Sequence, residues 1–373
     1  VSNIESVCHI GDGKFVVLWI CDSDGDDLYA SCGTVTGTTI GTMGTPVKVA
    51  DSVGERVARI AYDSVSDSVL MIYSYNSNTK MRAASISGTT ISLGSEVNHG
   101  SSCLGIAVAG GGGGFMTVRQ KSNDCEVRAV TVSGNTITAG NDTNSNLNSS
   151  CTDNRDAADL TYSSDDDKFV LMSIQSNKDV MAHVIERTGT VASIKSGTNM
   201  TNAAQGTGKI AYGPSGTVFH IFRDNHDLCG NIWTVSGDSL SQGTAQTLDT
   251  ANPQTFDLTY NPEDGKGYGL IRDGSDGHKT SYMALTNNSG TIQGAAFVQV
   301  HNQECSELAC SYLESGKIIY AYMASNVGTG KVHQVAFTDS TLSNGYIGFN
   351  SAAINDTATG TIGVVGNTNS SQS

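Results

Sequence analysis

The chain has almost no proline, few charges and no long apolar run. Four prolines in 373 residues exclude a Pro-rich linker or a collagen-like repeat. Charged residues make up 15%, and 21 Lys and Arg stand against 36 Asp and Glu, for a formal net charge of −15. Nucleic acid and anionic membrane surfaces recruit positive charge, so neither is expected as a partner. No stretch approaches the roughly 18 apolar residues that cross a bilayer as a helix, so membrane insertion is not expected. Helical periodicity is nearly absent, and Ser351 to Asp356 is one turn at most. No CxxC pair or Cys/His spacing points to zinc. No G-x-S-x-G nucleophile motif is present. The glycine run from Gly110 to Gly114 leads from one strand into another, so it reads as a flexible turn and not a phosphate cradle.

What is present is a repeat. The pattern reads GTVTGTTIG from Gly33 to Gly41, SISGTTISLG from Ser85 to Gly94 and TVSGNTITAG from Thr131 to Gly140. Looser copies end at Gly197, Gly243, Gly294 and Gly345, and the closing glycines lie 53, 46, 57, 46, 51 and 51 residues apart. A period of this length means an array of like units. Each unit holds four short strand signals, seen best in RVARIAYD, SVLMIYSY, KMRAASIS and TTISLGSEV. Short Ser, Asn, Asp and Gly clusters separate them, so neighbouring strands form antiparallel hairpins. One such meander cannot bury both faces. Stacking copies around an axis does, which predicts an all-β fold, a seven-bladed β-propeller of four-stranded antiparallel blades. The propeller is expected over residues 1–349, with 350–373 as a C-terminal tail or a linker to a following domain.

The first strand of each unit carries an apolar residue, a small one and then usually tyrosine: Ile60-Ala61-Tyr62, Leu160-Thr161-Tyr162, Ile210-Ala211-Tyr212 and Leu258-Thr259-Tyr260. Cys8 and Cys310 align with the apolar position and read as small buried hydrophobes. Nine cysteines leave at least one unpaired within the chain. Cys21 with Cys32, and Cys103 with Cys151, are the candidate disulfides. This usage fits an oxidising or extracellular setting.

Three sets of residues attract a functional reading. Asp22, Asp24 and Asp26 alternate on a tight turn and could wrap Ca²⁺ with oxygens, although a solvated acidic turn has the same composition. The hairpins between second and third strands all emerge on one face of the ring. Their polar side chains, Asp224, Asn225, His226, Asp273, Asp276 and His278 with Tyr75 and Asn76, could hydrogen-bond sugar hydroxyls. Asn and Asp are also what such turns require for their own geometry. The run Asp165-Asp166-Asp167 lies between first and second strands, on the opposite face, and reads as a solvated turn. The Ser-x-Asp-x-Gly-x-Thr-Trp box of sialidase-type propellers is missing, and no catalytic residue is assigned.

The repeat unit, an apolar pair, a polar hairpin and then the small-Val-Ser-Gly-Thr-x-Ile-x-x-Gly stretch, resembles repeats of phage and marine bacterial proteins of virion or surface type. The segment GYIGFNSAAINDTATGTIGVVGNTNSSQS, Gly345 to Ser373, is similar to the segment that comes after propellers in phage tail-fibre proteins. The resemblance implies a non-catalytic virion structural protein, a tail fibre or receptor-binding component. Its partners would be other virion proteins and a host-surface glycan or receptor, with homo-oligomers open. The alternative is a secreted bacterial lectin or adhesin, and a third reading is a glycan-degrading enzyme. In each case the setting is extracellular.

Overall fold

The computed structural model describes residues 3–334 and 364–366, apart from 22–23, 38, 54–56, 76–77, 102–104, 122–123, 145–155, 196, 202–203, 251, 302–303, 315 and 325–330. The units fold as antiparallel meanders. In the fourth, Ala158–Ser163 pairs with Lys168–Ile174, which pairs with Val180–Thr188, which pairs with Val191–Ile194. In five sheets a short extra strand also pairs with the third strand beside the fourth. In the second unit one long fourth strand, Thr90–Ser101, covers that length alone.

The repeated motif now has a physical reason. Its inner glycine, Gly37, Gly88, Gly134, Gly189 or Gly237, sits at φ near +60° in the turn from third to fourth strand. That is the left-handed region, where glycine carries no Cβ penalty. The closing glycine answers a different need. A Cβ at Gly94 would lie 1.9 Å from the Asn135 carbonyl oxygen, and one at Gly140 1.8 Å from that of Thr190. At Gly94, Gly140 and Gly243 the closing glycine therefore lets a blade's outer edge touch the outer turn of the next, while Gly41, Gly197 and Gly294 leave room for Thr34, His183 and Met283 of their own blades.

The apolar faces pack between consecutive sheets. Val16, Leu18 and Ile20 of the first meet Val69, Met71 and Tyr73 of the second. Val170 and Met172 of the fourth meet Phe222 and Trp233 of the fifth. Ile4, Phe15 and Trp19 meet Leu313, Ile319 and Met323 of the last sheet, which closes the ring. This is the all-β propeller of antiparallel blades that the repeats predict, with one correction to the count. Six sheets, not seven, carry the full four-strand path among the described residues. The remaining sheet orders Cys305–Tyr312, Lys317–Ala324 and Lys331–Gln334. There Lys331–Gln334 pairs with only the far half of the middle strand, while Val364–Gly366 pairs with its near half. The seventh motif copy, ending at Gly345, lies outside the described residues.

The cysteines also need correcting. Cys21 and Cys32 are both buried and share no disulfide, for they face Asp27 and Val16 across the hairpin, not each other. Cys310 and Cys8 are free too. Cys8 is half-buried and stands one residue beyond its expected place. Val7 takes the apolar register, packing towards the last sheet, while Cys8 packs towards the second. Cys103 and Cys151 lie outside the described residues.

The innermost strands surround an axis and splay apart, so they cannot pair with one another. Their inward-edge amides need other acceptors. Side chains supply them. The Ile210 and Tyr212 amides donate to Asp159 Oδ2 (2.9 Å) and Thr161 Oγ1 (3.1 Å) of the blade before. The Cys310 and Tyr312 amides donate to Asp257 Oδ2 and Thr259 Oγ1 (both 2.8 Å). The His9 amide donates to Ser311 Oγ (3.2 Å), and the Ala58 amide to Glu5 Oε2 (3.1 Å). Asp-Leu-Thr-Tyr, present at Asp159 and again at Asp257, is thus a two-point staple to the next blade. Replacing Thr259 with Val keeps the shape and orphans the Tyr312 amide. We expect a loss of about 1–3 kcal/mol in unfolding free energy, measured by denaturant titration, with an unchanged far-ultraviolet spectrum. An unchanged midpoint would contradict the staple.

Candidate functional site: the central funnel

At one end of the axis the first strands finish in a ring of aromatic side chains. Tyr62, Tyr162, Tyr212, Tyr260 and Tyr312 share one register, and His9 takes that place in the first blade. All six are half-buried. Their orientation is fixed from behind. The Tyr62 hydroxyl donates to Asp67 Oδ1 (2.9 Å) and that of Tyr162 to Asp167 Oδ1 (2.8 Å). Tyr212 Oη accepts from the Gly216 amide (3.2 Å). Tyr260 stacks on Phe219 at 5.9 Å, and His9 meets Tyr312 edge-on at 6.3 Å.

The third blade has Gly110 where others have tyrosine, since it pairs with Phe115 as Tyr62 pairs with Val69, and Val108 falls at the Ile60 place. A Cβ on Gly111 would sit 2.1 Å from the Tyr162 ring, and one on Gly110 2.4 Å from the Tyr62 carbonyl oxygen. Gly110 and Gly111 belong to a strand, while Gly112 and Gly113 form the turn at φ +62° and +83°. The run is therefore more than a flexible turn, because two of its members seat neighbouring parts of the funnel wall.

The ring opens into a cavity of about 620 Å³. Below it is a narrower polar space of about 150 Å³, with Asp159 and Asp257 lining both. In the neck, Asp156 Oδ1 receives Arg59 Nη2 at 3.1 Å and Lys209 Nζ at 2.9 Å. Arg59 Nη1 also lies 3.9 Å from Glu5 Oε2. Burial pushes the Asp159 carboxyl up to about 6, with Lys209 pulling the other way. Burial raises Asp257 as well. Burial acts to lower Lys209, but the neighbouring carboxylates, Asp156 foremost, hold it above its ordinary value. Burial and a nearby carboxylate push Tyr62 and Tyr162 up to about 12, so their hydroxyls stay protonated at neutral pH. Both Asp159 and Asp257 already accept two backbone amides each, from Ile210 and Leu160, and from Cys310 and Leu258.

The residues singled out from sequence lie elsewhere. The hairpins between second and third strands emerge at the opposite end of the axis, and their side chains build their own turns. Asp273 Oδ1 accepts from the Ser275 amide and hydroxyl (2.7 Å each), and Asp276 Oδ1 meets Lys279 Nζ at 2.9 Å. Asn225 and His278 hold left-handed turn positions at φ +52° and +58°. Asp224 closes its hairpin opposite Asp227, and His226 Nδ1 lies 3.1 Å from Asn252 Oδ1. Lys80 Nζ sits 4.3 Å over the Tyr75 ring, covering a face that a sugar would need. Asn76 is outside the described residues.

Of the Ca²⁺ candidates, Asp22 is outside the described residues. Asp26 adopts φ +62° in the turn, and Asp24 holds the Tyr29 hydroxyl. This acidic turn is supplied with a cation by the chain itself. Lys48 Nζ lies 2.5 Å from Asp27, 3.2 Å from Asp51 and 3.5 Å from Asp24. Among the described residues no group of three or more His, Cys, Asp or Glu is placed to hold a metal. What sequence reading missed is the funnel itself. Its signals are the repeated tyrosine and Asp165, which the sequence gives as a solvated turn residue and the structure places on the cavity wall.

No family model matches the sequence, and no curated protein does. Solved structures do. A candidate 6-phosphogluconolactonase from Bacteroides uniformis aligns over 94% of this chain and 98% of its own, at 11% identity and a TM-score of 0.57. A mutant form of AofleA from Arthrobotrys oligospora aligns over 80% and 89%, at 8% identity and a TM-score of 0.51. The SapL1 lectin, solved with alpha methyl fucoside, aligns over 80% and 97%, at 14% identity and a TM-score of 0.48. At such identities the likeness shows the fold alone, and nothing in it points to a virion component.

The Asp159 environment predicts a pH signature. Its folded value of about 6 lies above the ordinary 3.8, so the folded state favours the protonated form. The stability this contributes is fully present below the ordinary value and is lost as pH rises through about 6. Relative to Asp159→Asn, the wild-type protein should therefore lose stability between about pH 4 and pH 6 and run parallel above. Paired denaturant titrations across that range measure it, and a constant difference would contradict the assignment.

Proposed function

We propose that this chain is a non-catalytic, glycan-binding propeller that takes a sugar unit into its tyrosine-ringed funnel. The observation that carries the reading is the ring of five tyrosines lining a cavity of about 620 Å³. That volume is in the range of small-molecule sites, roughly 300–1,000 Å³. Sugars present C–H faces that lie against aromatic rings and hydroxyls that exchange hydrogen bonds with phenols and strand carbonyls. The rings are held in place before any ligand arrives, which lowers the ordering cost of binding.

Catalysis has less support. Glycoside hydrolysis uses two carboxyl groups free to act on the substrate as acid, base or nucleophile. Asp159 and Asp257 instead spend their oxygens on four backbone amides. Of the two binding settings, a secreted lectin or adhesin is favoured over a virion component. The funnel is a self-contained site, and nothing in the described residues calls for a particle.

A glycan array followed by calorimetry on the strongest binder tests this. Tyr162→Ala and Tyr260→Ala should each weaken binding about tenfold or more. Tyr75→Ala, at the other end of the axis, should leave it unchanged. Silence across the array, or affinity lost only in the Tyr75 variant, would sink the reading. Release of shortened sugar products would make the chain an enzyme.

A further inference from the structure

We infer that the sugar this funnel selects carries a free ammonium group, an amino sugar whose nitrogen is not acylated. This rests on the glycan-binding reading and adds the charge of the ligand. The residues lining the cavity include three acids, Asp159, Asp165 and Asp257, and no Lys, Arg or His. The turns at its mouth add Asp67 and Asp167, each bonded to a funnel tyrosine hydroxyl. Arg187 stands near Asp167, bound to the Gly112 and Gly189 carbonyls, and three of the nearby lysines are paired. Lys14 lies 3.5 Å from Asp12, Lys266 3.8 Å from Asp264, and Lys168 2.6 Å from Asp238. Lys209 sits below in the neck, 2.9 Å from Asp156.

The cavity thus joins negative potential to electron-rich ring faces. A cation is drawn to both at once. Burial is the first cause that raises all five tyrosines, and a nearby carboxylate adds to it in each: Asp67 for Tyr62, Asp167 for Tyr162, Asp165 for Tyr212, Asp264 for Tyr260 and Glu263 for Tyr312. A neutral sugar uses the rings and hydroxyls alone. An anionic sugar meets repulsion with no basic side chain on the cavity wall to offset it. An ammonium-bearing sugar uses every feature of the wall.

The test compares two ligands of one shape, a β-1,4-linked glucosamine tetramer and its fully N-acetylated form, by calorimetry. The free amine should bind about tenfold tighter at about 0.02 M salt, and most of that preference should vanish at about 0.5 M. Asp165→Asn, on the exposed rim, should cut the preference about threefold, since one charge near the surface is worth less than about 1 kcal/mol. Equal affinity for the two tetramers, or a preference that survives both high salt and Asp165→Asn, overturns this inference and leaves the glycan-binding reading standing. If neither tetramer nor any array sugar binds, both fall together.

Discussion

Strands that radiate around an axis cannot hydrogen-bond to one another, yet their backbones still present donors that need partners. In this molecule side chains at the heads of the blades meet the requirement at four of the junctions. A carboxylate and a hydroxyl two residues apart reach across to two amides of the next blade. An unmet buried amide costs about 1–3 kcal/mol, so the requirement constrains sequence strongly. It also shapes the electrostatics of the axis. The acids must sit deep, where burial raises their protonation range, and Arg59 and Lys209 gather there to balance the excess charge.

The same staples set the register of four funnel tyrosines, Tyr162, Tyr212, Tyr260 and Tyr312. One residue beyond each hydroxyl comes the tyrosine, so fixing the threonine fixes the aromatic ring at the funnel mouth. The second-strand aromatics Phe169 and Phe219 support those rings from behind. The glycine run of the third blade seats Tyr162. Structure and candidate site therefore share residues. A change that loosens the ring of blades also moves the funnel wall.

Much of this was legible in the chain. The period, the hairpin turns and the strand starts give the propeller because the turn glycine is forced by backbone geometry in one copy after another. The blade count was less so. The last motif copy lies beyond the described residues, and Val364–Gly366 takes part of the strand position beside Lys317–Ile319. Cys8 was misplaced by one residue because Val7 and Cys8 are both small and apolar, and composition cannot tell which one faces which neighbour. The funnel lies at the other end of the axis from the candidates read in the sequence, and it went unread for a related reason. Asn, Asp and His at Asp224 to His226 and Asp273 to His278 serve turns and could equally serve sugars, and sequence does not show that their bonds are already used. Tyr162 and Tyr260 carry no site signal in the sequence, because a strand's alternation does not show that its end borders a cavity.

Amide hydrogen exchange, resolved by residue, tests the central claim most directly. The amides of Ile210, Tyr212, Cys310 and Tyr312 have side-chain acceptors in place of sheet partners. If the staples hold the ring, these four exchange as slowly as the amides of the second strands beside them, and all slow or fail together as the fold opens. Fast exchange at these four, with the second strands still protected, would show that the inner strands are held by something else.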